Sequence, residues 1–222
     1  MFHICVLIVC AVIFGIIDFL YLENIKCGNS ELKKWKFKFK VYGKERIKYI
    51  CIFVILIAMS LVLSLKFEHP FANDFRLVAL ISVLLVAAIT DLKSRIIPNK
   101  LLLMGSGYWV IWVGICFLSN NEHFFNEMIS SVAALVAITI ICVICLFILK
   151  NAIGMGDLKL MMLMAMLQGA LGLCSSLFLS FVFAFVACIF FLITKKKGKK
   201  DYIAFAPFAF LGTIVSIILK GV

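Results

Sequence analysis

Two acidic residues stand where a carboxylate is costly. Asp91 closes an apolar run over residues 75–90, and Asp157 opens another that starts at Leu158. Ionisable groups at the edge of a hydrocarbon layer are expensive and mark functional sites by default. Asp157 sits in Gly154-Met155-Gly156-Asp157-Leu158-Lys159, where Gly154 and Gly156 permit unusual backbone angles and close approach of another chain. The following apolar run predicts a helix whose N-terminus favours negative charge at Asp157. After Asp91 comes Ile97-Pro98-Asn99, where Pro98 fixes a corner and drives Ile97 out of helical geometry. Two carboxylates held close cannot easily both ionise, so the pair supplies one base and one acid. That is what hydrolysis of an amide requires.

The elements between the two aspartates must bring them together. Two apolar segments, 100–118 and 128–149, lie in that interval. At roughly 1.5 Å per residue each can cross a hydrocarbon core of about 30 Å, so two crossings return the chain to the same surface.

The whole chain follows this pattern. Of its 222 residues 65% are hydrophobic and 15% charged, with mean hydropathy +1.17. Apolar runs over 2–22, 49–65, 75–91, 100–118, 128–149, 158–173, 175–194 and 203–219 predict an all-α polytopic membrane protein with about eight transmembrane helices. The run 158–173, which contains Gln168 and Gly169, is short and is expected to tilt or span incompletely. The net charge of +11 does not read as a nucleic-acid footprint, because the cations gather in alternate loops. Residues 23–48 form the main basic loop, 92–100 hold Lys93, Arg95 and Lys100, and 195–200 are Lys-rich. These loops are assigned to the cytoplasm, leaving both termini outside and both aspartates on the cytoplasmic side. The chain divides into an N-terminal helical hairpin with its basic loop, 1–65, and a membrane-embedded core, 66–222.

Other residues have local readings. Residues 2–22 read as an uncleaved signal anchor, with Asp18 interfacial and structural. Within the basic loop, Lys34-Trp35-Lys36-Phe37-Lys38-Phe39-Lys40-Val41 alternates with period two. It reads either as a strand lying on anionic headgroups or as a positive-inside loop with aromatic anchors. Residues 66–74 and 119–127 are read as outer turns. The methionines Met161, Met162, Met164 and Met166 are taken as packing rather than a peptide groove. Most of the nine cysteines, including the Cys142 and Cys145 pair, lie in apolar segments as small hydrophobes, and the histidines are scattered. No metal site and no cofactor is expected.

Asp91 with Ile97-Pro98-Asn99, followed by Gly154-x-Gly156-Asp157-x-Lys159, resembles the type IV prepilin peptidases and the related archaeal preflagellin peptidases. These are membrane-embedded Gly-x-Gly-Asp aspartic proteases. Ala204-Phe205-Ala206-Pro207-Phe208 is similar to the proline-phenylalanine turn that opens the last helix of that family. The resemblance covers roughly residues 75–215 and implies Asp91 and Asp157 as catalytic, with Ile97, Pro98, Asn99, Gly154, Gly156, Lys159 and Pro207 shaping loops or binding substrate. Lys159 either lowers the energy of a nearby carboxylate or snorkels to headgroups, and snorkelling is the favoured reading. Larger bacterial members carry a cytoplasmic insertion with paired C-x-x-C motifs and an N-methyltransferase activity. Here Cys27 stands alone in a short loop, so the resemblance is to the peptidase-only branch.

The function so implied is cleavage of the leader of type IV pilin-like precursors at the inner face of a prokaryotic cytoplasmic membrane. Two other readings stay open: a proton- or cation-coupled transporter using Asp91 and Asp157, and a non-catalytic membrane subunit of a pilus assembly system. Against transport, the sequence offers no acidic residue midway along a path between the two surfaces.

Overall fold

The computed structural model describes residues 2–27, 43–67, 70–118, 124–148, 154–193 and 204–220. Among them the elements are helical: α1 Phe2–Cys27, α2 Gly43–Lys66, α3 Phe71–Ser94, α4 Asn99–Leu118, α5 Phe124–Ile148, α6 Met155–Ile193 and α7 Ala206–Lys220. Five helices are long and apolar enough to cross a membrane, and Ile50–Lys66 and Ala206–Lys220 are shorter apolar helices. The chain is therefore a multi-pass all-α membrane protein. The alternating segment Lys34–Val41 and the Lys-rich stretch 195–200 lie outside the described residues.

Helix α3 is the pillar of the bundle. Its span is 89% buried, against 17–28% for the other four long spans, and it packs on α1, α2, α4, α6 and α7. Lipid satisfies apolar side chains as well as protein does, so it is the polar residues of α3, among them Asp74, Arg76, Ser82 and Asp91, that call for the central position. The outer helices instead turn large apolar side chains such as Val54, Leu103, Ile140 and Phe185 away from the protein, as lipid-facing surfaces do. The three prolines mark helix starts. Pro70 precedes α3, the Pro98 carbonyl accepts the Leu101 N–H at 3.0 Å, and Pro207 lies in the first turn of α7. Near a helix start a missing N–H breaks no intrahelical bond.

Helix α6 has two arms. Gly169 breaks it with φ 71° and ψ −173°. Across the break the Gln168 side-chain amide donates to Ser176 Oγ at 2.8 Å. Eight residues of straight helix would separate those positions by about 12 Å, so the chain folds back here. The second arm runs against α7, with Ser175 and Ser216 hydroxyls 2.6 Å apart and the Phe181 and Phe205 rings 5.6 Å apart. The runs expected at 158–173 and 175–194 are these two arms. The first, up to Gln168, is about 20 Å long at helical rise, shorter than a hydrocarbon core.

Only glycine suits the break. A Cβ on Gly169 would approach Ser130 Oγ to 2.9 Å, and that hydroxyl already accepts the Ala170 N–H at 3.1 Å. Gly169→Ala is expected to destabilise the protein by about 1–3 kcal/mol, seen as a lower melting temperature of the detergent-solubilised chain.

Three acidic residues depart from their sequence readings. Asp18, expected at an interface, is buried in α1 and accepts the Ser82 hydroxyl of α3 at 2.8 Å. Asp74, expected in an outer turn, is buried in the first turn of α3, because Pro70 starts that helix earlier than the apolar run suggests. The His3 Nε2 lies 3.9 Å from its carboxylate. Glu127, read as a loop residue, lies in the first turn of α5 and accepts the Asn73 amide at 2.6 Å. Beside them the buried Arg76 stacks 4.7 Å over the Trp112 ring. Acidic groups therefore do lie inside the bundle, away from the two aspartates at its other end.

Candidate active site

Asp91 occupies the last turn of α3. The helix ends there because Arg95 turns left-handed at φ 53° and returns its N–H to the Asp91 carbonyl at 2.9 Å. Residues 96–98 then lie outside any helix, in keeping with the bar that the Pro98 ring sets on helical geometry at Ile97. Asp157 occupies the first turn of α6. The Gly154 carbonyl accepts the N–H groups of Asp157 at 3.0 Å and Leu158 at 3.3 Å, so Gly154 caps the helix and Asp157 sits at its positive end.

Packing brings these two helix ends together. Asp157 lies within the electrostatic reach of the Asp91 charge. The environments differ: Asp91 is 5% exposed, whereas Asp157 is only half-buried.

The glycines make the approach possible. A Cβ on Gly156 would stand 3.2 Å from Ile97 Cβ, and one on Gly154 would stand 3.1 Å from Asp157 Oδ2. Gly156 thus lets the buried Ile97 lie against the first turn of α6, tying the connector after Asp91 to the turn before Asp157. At the exposed rim Lys159 Nζ donates to Asn99 Oδ1 at 3.0 Å. Lys159 therefore bridges α6 to the start of α4, a role that the snorkelling reading did not contain.

The α7 turn completes the constellation. The Ala206 N–H donates to Asp91 Oδ2 at 3.1 Å in a buried setting, and Pro207 follows in the same turn. Asp91, Asp157, Ile97, Gly154, Gly156 and Ala206 thus meet at one end of the bundle. Asn99 and Lys159 pair beside them, and Pro207 acts through the turn it shapes. Sequence reasoning missed the Ala206 donor, because a backbone N–H has no residue signature; the signal was the Ala-Phe-Ala-Pro-Phe turn itself. It also missed the burial of Asp18 and Asp74, since hydropathy does not say which helix face meets another helix.

Two carboxylates within electrostatic reach of each other at one end of a helical bundle can hold one proton between them and activate water. No curated protein and no solved structure matches the chain. The model of one family, described as the type IV leader peptidase family, matches residues 78–194, more than half of the chain and both aspartates with it. On that match, and with the fold and the paired aspartates in view, the chain belongs to the type IV leader peptidase family.

Proposed function

We propose that the chain is an intramembrane aspartic endopeptidase that removes the leader of type IV pilin-like precursors at the cytoplasmic face of the cell membrane. The observation that carries this reading is that Asp91, at the end of α3, and Asp157, at the start of α6, lie within electrostatic reach of each other at one end of the bundle. One carboxylate takes a proton from water as the water oxygen attacks the scissile carbonyl carbon. The other gives its proton to the carbonyl oxygen. As the C–N bond breaks, the first passes the proton it took to the leaving nitrogen, and the second recovers one from the gem-diol hydroxyl. The non-helical residues Ile96 and Ile97, beside Asp91, are where the backbone of an extended substrate would be received at membrane depth.

Charge supports the orientation. Lys93, Arg95, Lys100 and Lys159 surround the aspartate end and are all exposed, and residues 23–48 add nine Lys or Arg against three Glu. Such loops stay in the cytoplasm and attract anionic headgroups. Counting the arms of α6 separately gives eight passages, with residues 1–65 as a hairpin on the core 66–222. A basic leader followed by an apolar helix is the substrate form that this face suits.

The test is processing of a co-expressed pilin precursor in membranes, followed by the mobility of the mature product on a gel. Loss of leader removal in Asp91→Asn and in Asp157→Asn supports the peptidase. Unimpaired removal in either would eliminate it, and would favour the non-catalytic assembly subunit.

Buried Asp18 and Asp74 favour one second reading, a proton or cation relay through the bundle. Asp18→Asn separates the two. Its side-chain oxygen can still accept the Ser82 hydroxyl, so the peptidase reading expects parental cleavage and stability within about 1 kcal/mol. The relay reading expects that variant to lose a pH-gradient-driven flux in reconstituted vesicles.

A further inference from the structure

The two aspartates are not equivalent in their hydrogen bonding. The Phe205 carbonyl accepts the N–H groups of Phe208 at 3.0 Å and Ala209 at 3.1 Å, which makes Phe205 the residue that opens α7. The Ala206 N–H is then one of the donors that a helix start leaves without an intrahelical partner. It is buried, and its acceptor is Asp91 Oδ2. No described residue donates to the side chain of Asp157.

The geometry points to an asymmetric pair, in which the Ala206 N–H holds Asp91 as the carboxylate that activates water and leaves Asp157 to carry the proton to the substrate. This rests on the peptidase reading above and adds to it the division of labour and a positioning group, the backbone of the α7 turn. The ends of α3 and α6 pull the other way, since Asp91 lies at a negative helix end and Asp157 at a positive one. A direct hydrogen bond to a charged acceptor in a buried place outweighs a helix-end effect, and the positive end of α7 adds to it.

The charged groups around the pair do not reverse the assignment. On α3 and its connector these are Lys93 and Arg95, on α4 Lys100, and on α6 Lys159, all exposed and screened by water. At the same end of α1 lie Tyr21 and Glu23, both partly exposed, and the first turn of α7 has no titratable side chain. The sequence of the first turns of α2, which start at this end, holds Lys44, Glu45, Arg46 and Lys48.

Ala206→Pro removes this donor at a position where proline is tolerated, and Ala206→Gly keeps it. The measurement is the rate of leader removal against pH by the solubilised full chain, with a purified pilin precursor as substrate. For Ala206→Pro the acid-side midpoint is expected to rise by about one pH unit, a tenfold loss on the acid shoulder, with KM unchanged. Ala206→Gly, whatever its rate, is expected to keep the parental acid-side midpoint because the N–H remains. A parental midpoint in Ala206→Pro, or a shift to lower pH, would overturn the inference. Where Ala206→Pro is not recovered folded, a backbone ester at position 206 removes the same N–H and decides by the same midpoint. Failure of the peptidase reading looks different, because the parent chain would then remove no leader at any pH.

Discussion

Asp91→Asn and Asp157→Asn are each expected to slow leader removal by about 10²–10⁴-fold, the range for losing a positioned general acid or base. The two variants are nearly isosteric with the parent, so the loss is expected without a matching fall in melting temperature. The double variant is expected to be no slower than the worse single one, because the two groups work on one proton. Rates measured on one precursor for all three variants check this. Multiplying losses in the double variant would mean that the aspartates act independently, which a shared-proton mechanism does not allow. The two carboxylates come within electrostatic reach only through tertiary packing, with Asp91 buried and Asp157 partly exposed.

Gly212→Val is expected to be nearly as damaging, from a distance. Gly212 lies in α7 against the second arm of α6, where a Cβ would come 2.5 Å from the Ser180 backbone nitrogen and 2.8 Å from the Ser176 carbonyl oxygen. Backbone cannot rotate aside as a side chain can. The helices must separate, as at other glycine-mediated helix contacts in membranes. A loss of about 3 kcal/mol is expected, at the upper end for overpacking. Cleavage should fall with it, because moving α7 carries the Ala206 N–H away from Asp91. Gly107 and Gly114 of α4 have no heavy atom within 4 Å of such a Cβ. Gly107→Val and Gly114→Val are therefore expected to melt much closer to the parent. Thermal unfolding in detergent and precursor processing measure both effects.

Much of the architecture is legible in local sequence. Apolar runs report spans because lipid offers the backbone no hydrogen bonds, so a chain in it must be helical. Pro98 and Gly154 mark the helix boundaries beside the two aspartates because each acts on its own backbone. Other boundaries misled. Residues 66–74 and 119–127 read as polar turns, yet Asp74 and Glu127 belong to the first turns of α3 and α5. A helix continues past its apolar run wherever neighbouring helices supply polar partners, and Asn73 does so for Glu127.

By itself the sequence determined the class of the protein, a multi-pass helical membrane protein of the type IV leader peptidase family, through periodicity, hydropathy and short-range motifs. Only the tertiary structure decided that Ser82 faces Asp18, that Gln168 meets Ser176 across the Gly169 turn, and that an N–H from residue 206 reaches a carboxylate at residue 91. Each of these joins positions whose separation along the chain says nothing about their distance. The close packing of whole helices around α3 brings them together, and no single stretch of the sequence encodes that packing.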